Sequence, residues 1–551
     1  MHPPGEGLKE SKPFYLTMAG TLVLAVDVGS TSARAGVFDL SGRMLSSASA
    51  PFDIHRPLID HAEHDSEQIW SAVCIAVRQA LATSGYPASA VGGVAFDATC
   101  SLVMLDASGA PVTVSTTEED RWNVVMWADH RAGAEAAEIT ATGDKVLDFV
   151  GGTVSPEMEL PKLMWLKRHL PRAWARYGMA MDLADFLTWR ATGLIAASAC
   201  TITCKWTYLN HETPGWQAGL LTRIGLGGLQ EKMRIPAEAS QLGGRTGSLC
   251  AAAAQAWGLE AGIAVGVPMI DAHAGALGVL GATAADQLDH NLALIAGTSN
   301  CHMALSRDAR AVPGVWGPYF GALVPGWWLN EGGQSASGSL LDHVLQTHAQ
   351  RHALGDDPHT VLSDYLVRRR AEVGPGYASD VLVLPDFHGN RSPLARADVR
   401  GVIHGMDLDA SLEGLARLYH ATAVGIAYGT RQIVDALNAK GYQITRLHLT
   451  GGHAKSPLLV RLYADATGCK VVLPREADGV LLGTALLAAT AAGHFGDLLA
   501  AGRVMVHSLP HVSPDPATHE IHRRGYTAFC RMLAQRQEVM DILQGKAAQS
   551  W

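Results

Sequence analysis

Leu22-Val23-Leu24-Ala25-Val26-Asp27-Val28-Gly29-Ser30-Thr31-Ser32 decides the fold of this chain, with Arg34 just beyond it. An unbroken apolar run that stops at Asp and Gly reads as a buried strand entering a tight turn. Backbone N–H groups and hydroxyls in such a turn can face an anion, and the carboxylate at its mouth can hold a metal ion. A second turn of this kind, Gly297-Thr298-Ser299-Asn300, follows the run from Leu292 to Ala296. Two such turns suit a polyphosphate gripped from two sides, which makes ATP-dependent phosphoryl transfer the leading expectation. The chain has no G-x-x-x-x-G-K-[ST] sequence, so the grip is not a P-loop.

Outward from Leu22, the sequence predicts a strand over Ala35 to Asp39, a turn at Ser41-Gly42 and a further strand from Met44 to Ala48. Ser66 to Ala82 reads as an amphipathic helix and Val91 to Phe96 as the next buried strand. Part of this order recurs. Leu292 to Ala296, the Gly297 turn and His302 to Leu305 repeat the entry, and Thr445 to Thr450 later runs into Gly451-Gly452. The repeat predicts two related α/β domains facing one another, joined near Ala264 to Asp271. Val381 to Leu384 is a short strand candidate before the polar loop Phe387 to Pro393, for which a cleft and an open surface both stay open.

The length of 551 residues exceeds the ~250–300 at which one core stops growing, so at least two domains and a cleft between them are expected. With 48% hydrophobic and 17% charged residues, the composition is that of a closely packed enzyme. A net charge of -9 and no long Lys/Arg block argue against nucleic acid. The eight Cys are scattered, and only Cys200 and Cys204 lie close together. That spacing lacks a second ligand pair, so reduced thiols in a cytoplasmic protein are expected over a zinc site or a disulfide framework. The start is too poor in Lys and Arg for a signal peptide, and the Leu16-to-Val28 run carries Asp27 and is short for a membrane span. Residues 1–19 read as a flexible extension, with Met18 as an alternative start. Homo-oligomerisation stays open.

Asp27 can hold Mg²⁺ at the mouth of its turn or simply cap it, while Thr31, Ser32 and Arg34 suit phosphate oxygens. Asp271, ending the extended run Pro268-Met269-Ile270, reads either as a helix cap or as the base that takes a proton from a substrate hydroxyl. His273 reads as a packing or hydrogen-bonding residue. Asp97, Thr99, Cys100 and Ser101 after their strand, and Trp127-Ala128-Asp129-His130-Arg131, suit a polyol or sugar or an ordinary loop. Lys205 can orient an oxygen or cover apolar surface with its stem. Glu331-Gly332-Gly333-Gln334-Ser335 and Gly451-Gly452 allow a close approach that suits an adenosine pocket, or are plain turns. The segment His55 to His64 is expected as an acidic, polar surface loop rather than a metal site, and His507 to Arg523 as a linker to one last helix.

Together these segments resemble the FGGY family of carbohydrate kinases, and most of all its D-ribulose and ribitol kinase branch. The resemblance runs from about Leu22 to Leu499. It is carried by the Asp27 turn, Trp127-Ala128-Asp129-His130-Arg131, Pro161-Lys162-Leu163-Met164-Trp165, Asp271-Ala272-His273-Ala274-Gly275, Gly297-Thr298-Ser299 and Gly451-Gly452-His453-Ala454-Lys455-Ser456. Phe96-Asp97-Ala98-Thr99-Cys100-Ser101 and Trp328-Leu329-Asn330-Glu331-Gly332-Gly333-Gln334 carry the branch. The resemblance implies an α/β fold with two actin-like, ribonuclease-H-like ATPase domains closing over a sugar and MgATP. Residues 20–266 would bind sugar and phosphate, residues 267–510 the nucleotide, and residues 511–551 would be a linker and helix. It further implies Asp271 as catalytic base and Asp27 as magnesium ligand. Thr31, Ser32, Arg34 and Thr298 fall to the phosphates, and Gly338, Asp342, Gly451, Gly452 and Ser456 to the nucleotide. Asp342 stands where the family often has Gln, and Ser456 where it often has Asn. Asp97, Lys205 and Glu331 fall to the sugar. The implied reaction is phosphorylation of D-ribulose to D-ribulose 5-phosphate. Ribitol, L-ribulose and xylulose are alternative acceptors, and a non-catalytic ATP-binding regulator is an alternative against which Asp271 stands.

Overall fold

The computed structural model describes residues 20–546. The expected N-terminal extension over residues 1–19, and the choice between Met1 and Met18, lie outside the described residues.

Leu22–Val28 is buried along its whole length because it has a strand on each side and layers above and below. It runs antiparallel to Ser32–Asp39 and parallel to Val91–Ala98, a register that sets Asp27 opposite both Arg34 and Asp97. The first sheet has the order Met44–Pro51, Ser32–Asp39, Leu22–Val28, Val91–Ala98, Ala264–Gly266, Arg245–Ser248. Parallel pairing needs a long crossover, supplied by the helix Ser66–Ser84. Asp65 caps that helix through the N–H groups of Glu67 and Gln68, and Ile69, Val73, Val77 and Ala80 form the stripe that packs into the core.

The second sheet repeats the plan in the order Trp316–Phe320, Trp328–Gln334, Asn300–Ser306, Asn291–Ala296, Arg446–Thr450, Lys470–Val472. Asn291–Ala296 is antiparallel to Asn300–Ser306 and parallel to Arg446–Thr450. Both glycine-rich turns therefore leave the end of a central strand, which brings chemically similar loops to corresponding points of two lobes.

The first sheet continues past residue 266, because Met269–Ile270 pairs with Asp97 and Ala98. Helix Gly479–Ala491, from the second half of the chain, packs on Leu22–Val28 and Val91–Ala98 and crosses helix Asp271–Leu280. Only glycine fits that crossing: a Cβ on Gly278 would collide with the Gly479 carbonyl, and one on Gly483 with the Ala274 carbonyl.

Two segments depart from expectation. The His55-to-His64 segment is not simply a surface loop, since His61, Glu63 and His64 are buried and Glu63 Oε1 accepts from Arg131 Nη2 at 2.7 Å. A buried carboxylate needs such a partner, and Arg131 comes from a distant part of the chain. Gly332 and Gly333, read as suiting an adenosine pocket or as a plain turn, lie in strand Trp328–Gln334 and make room for side chains of their own lobe. A Cβ on Gly332 would stand 2.9 Å from Ile433 Cγ2, and one on Gly333 2.6 Å from Arg391 Cδ. The last helix, His519–Leu543, docks on the second lobe through Phe529, Met532 and an Arg536 Nη1 to Asp386 Oδ2 bond of 2.6 Å. Among the described residues no helix is long and apolar enough to cross a membrane.

Candidate active site

The two glycine-rich turns face each other across a cavity of about 310 Å³. Asp27, Gly29, Ser30 and Arg34 line one side, and Gly297, Thr298 and Ser299 the other. Asp271 stands between them at the start of its helix, where the Ala272 N–H donates to its Oδ1 at 2.7 Å. Burial, and after it the charge of Asp27, push the Asp271 carboxyl up to about 7. A carboxylate poised near neutrality suits a general base.

Arg34 offsets the acidic group. Its Nε donates to Asp27 Oδ2 at 2.6 Å and its Nη1 to Asp478 Oδ2 at 2.6 Å. Burial works against the charge of Arg34, but Asp27 and Asp478 more than compensate and raise its pKa. Asp97 lies behind Asp27, fully buried, and accepts from the Thr484 hydroxyl. Burial first and Asp27 second drive its pKa well up. It is therefore set beneath the acidic group and does not line the cavity. Asp27 and Asp271, carboxylates lining one cavity, are hard oxygen donors of the kind magnesium takes, so the residues present fit that ion.

The opposite end of the cavity is polar in another way. Lys205 is buried at the end of helix Ala199–Lys205, its Nζ 4.4 Å from the Trp316 ring centroid. Burial opposes its charge, yet Cys100, Glu331, Tyr319 and Glu157 together hold its pKa well above the ordinary value. Glu331 lines the same end, and its Oε2 has no hydrogen-bond partner among the described residues. Arg391, from the loop Phe387 to Pro393, donates to Glu157 at 2.9 Å, so that loop does reach the cleft. Burial would raise the Glu157 carboxyl, but Arg391, His130 and Lys205 bring it down to about 2. Trp127 lines the cleft and donates from Nε1 to Ser30 Oγ at 3.0 Å, whereas Asp129 and Arg131 of the same motif turn into the buried network with Glu63.

The residues expected near the nucleotide gather round the Gly297 turn. The Gly338 N–H donates to Gly297 O at 3.0 Å, and a Cβ there would come within 2.5 Å of that oxygen. Gly451, at φ +90°, sits as close to Ala296 O, and Gly452 follows it. Asp342 lies one helical turn beyond Gly338, exposed, and bonds His359 Nε2 at 2.7 Å. Ser456 caps helix Pro457–Thr467 through the Leu459 N–H. Thr31 is exposed at the rim, and the Ser32 carbonyl closes the first turn by accepting from the Gly29 N–H at 3.0 Å.

Glu157, Trp316 and Asp478, in or beside the cavity, escaped the sequence reading, and Arg391 was covered only through its loop. For Asp478 a signal exists, since Asp before Gly and a long apolar helix is an N-cap pattern, and its Oδ1 does accept from the Leu481 N–H.

The chain matches the FGGY family of carbohydrate kinases, N-terminal domain, over residues 22–278 and the C-terminal domain over residues 292–492. A zebrafish (Danio rerio) FGGY carbohydrate kinase domain-containing protein is 42% identical over 548 residues, covering 96% of this chain and 100% of the relative. A D-ribulokinase of Saccharomyces cerevisiae is 36% identical over 520 residues, covering 86% of this chain and 72% of the relative. The crystal structure of xylulose kinase from Rhodospirillum rubrum has the same fold, with a TM-score of 0.77 at 24% identity over 94% of this chain and 99% of that one. The matched domains, the two actin-like lobes and the cleft between their glycine-rich turns agree: the chain belongs to the FGGY family of carbohydrate kinases and is an ATP-dependent sugar kinase.

Proposed function

We propose that this kinase phosphorylates a pentulose at its terminal hydroxyl, with D-ribulose as acceptor and D-ribulose 5-phosphate as product. The observation that carries the reading is Asp271, a carboxylate raised to about 7 and standing between two phosphate turns. The choice of pentulose leans on the 36% identity to the yeast protein described as a D-ribulokinase.

In this reading the terminal hydroxyl gives its proton to Asp271 as its oxygen attacks the γ-phosphorus, and the bond to the ADP oxygen breaks. Magnesium held at Asp27 would offset phosphate charge during the transfer. Arg34, Thr31, Ser32 and Thr298 would meet phosphate oxygens, and Gly338, Asp342, Gly451, Gly452 and Ser456 the rest of the nucleotide. Lys205 and Glu331 would bind the sugar, joined by Arg391 and Glu157. Asp97, beneath Asp27, would orient the acidic group rather than touch sugar. A site built from hydrogen-bonding groups rejects an acceptor that leaves one of them unpaired, which is how a few hydroxyl positions set selectivity.

The test is ADP release with MgATP against D-ribulose, L-ribulose, ribitol, D-xylulose and glycerol, with Asp271→Ala as control. The highest kcat/KM is expected for D-ribulose, lost in the variant. A higher value for ribitol, L-ribulose or D-xylulose would reassign the acceptor, and ATP binding without acceptor-dependent ADP release would leave a non-catalytic regulator.

A further inference from the structure

Cys200 and Cys204 lie one turn apart on helix Ala199–Lys205, a spacing that puts both side chains on one face. On their own they lack further ligands. Helix Asp271–Leu280 supplies one: the two sulfurs and a ring nitrogen of His273 all lie within 4.8 Å of one another. Cys204 Sγ is 3.4 Å from His273 Nε2. All three residues are buried, and the cysteines form no disulfide. Two ligands of one tetrahedral zinc, at about 2.3 Å for sulfur and about 2.0–2.1 Å for nitrogen, stand about 3.6 Å apart, so this pair needs almost no movement to share an ion.

We propose that Cys200, Cys204 and His273 bind one thiophilic divalent cation of the zinc class, at a site separate from the carboxylates around Asp27. The donor set makes the choice of metal, because thiolates and imidazole favour zinc-like ions whereas magnesium takes oxygen. The surroundings support the site. The Ile270 N–H donates to Cys200 Sγ at 3.5 Å, a bond that supports a thiolate from the second shell. Glu331 Oε2, without a hydrogen-bond partner among the described residues, is 3.8 Å from His273 Nε2. Three protein donors leave the fourth position open, and Glu331, which lines the cleft, marks the way in.

Charge and protons balance. Binding releases one proton from each thiol, and the two thiolates cancel the charge of the cation, so the buried centre of ion and sulfurs carries no net charge. Because binding releases protons, it weakens as pH falls. None of this depends on which sugar is phosphorylated.

The test uses the full chain, stripped with a chelator under reducing conditions and titrated with Co²⁺ alone. A thiolate-bound tetrahedral cobalt gives a sulfur-to-metal charge-transfer band, which cobalt on the oxygen ligands at Asp27 does not. One equivalent per chain is expected to develop this band and to lose it to Zn²⁺. Asp27→Asn keeps the band, the double variant Cys200→Ser, Cys204→Ser abolishes it, and His273→Gln, which retains both thiols, weakens binding at least tenfold. Absence of the band from the wild type would overturn the proposal and leave an ordinary Cys–His hydrogen bond. So would an undiminished band in the double variant or unweakened binding in His273→Gln.

Discussion

Arg391 donates through Nη2 to Glu157 Oε1 at 2.9 Å, one ion pair joining the second lobe to the first across the Lys205 end of the cleft. Glu157 is held at about 2 against an ordinary 4.5. Because the folded value lies below the unfolded one, the carboxylate stabilises the fold above pH 4.5, and that stabilisation is lost as pH falls towards 2. The size is about 3 kcal/mol at neutral pH. Glu157→Gln should therefore lower Tm at pH 7 and bring it close to the wild type near pH 2–3. If the proposed acceptor site is right, it should also raise sugar KM more than it lowers kcat. An unchanged Tm and KM at pH 7 would show that the pair only decorates the cleft.

Asp271 has the opposite sign. Its carboxyl is raised from 3.8 to about 7, so the folded state holds the proton longer than the unfolded chain, and stability is lost as pH rises through that interval. Asp271→Asn should be more stable than the wild type at pH 8, by about 1–3 kcal/mol, and equal to it near pH 3. The same substitution should cut kcat by about 10²–10⁴ and remove the rise of kcat/KM towards neutral pH that the base imposes on the wild type. Thermal melts at the two pH values and a pH–rate profile check both halves. A variant less stable at pH 8 would contradict the raised pKa.

The places of Asp27 and Asp271 at the cleft were legible because the signal is local, an apolar run that stops at Asp. Lys205 and Glu331 were legible only through resemblance, since nothing near them states which way they point. Asp97 shows the limit. A polar residue at a strand end was visible, but its direction depends on pairing register, and the parallel match of Asp97 to Asp27 turns it under the acidic group. Arg391 and Glu157 are 234 residues apart, and no pattern in either segment announces the other. Gly333 held half of that information, since its missing side chain is the space Arg391 occupies, but glycine alone does not say what comes near.

The crossing of helices Asp271–Leu280 and Gly479–Ala491 carries Asp271 and Asp478 at the N-terminal ends of the two. Gly483→Ala should force these helices apart, because its Cβ would meet the Ala274 carbonyl, a backbone atom that cannot rotate away. Overpacking of this kind costs about 1–3 kcal/mol. The expected readout is a lower Tm with kcat reduced as well, because Asp271 moves with its helix. Gly133→Ala, at a helix start with nothing near its added Cβ, is the control that should leave both unchanged or slightly improve Tm.

Arg34 ties that second helix to the Asp27 turn of the cleft. Its Nη2 is 2.5 Å from Asp27 Oδ2, while its Nη1 reaches Asp478, whose other oxygen caps helix Gly479–Ala491. A guanidinium can serve both carboxylates at once with fixed geometry, and an ammonium cannot. Arg34→Lys should thus lower kcat/KM although the charge is kept. Asp478→Asn should lower it through the same route, by loosening the guanidinium held at Asp27. If Arg34 relays between the two, the double variant should lose less than the two single losses combined, with a coupling of at least about 0.5 kcal/mol. Additive losses in kcat/KM would mean that Asp478 serves its helix alone and that Arg34 acts on phosphate without it.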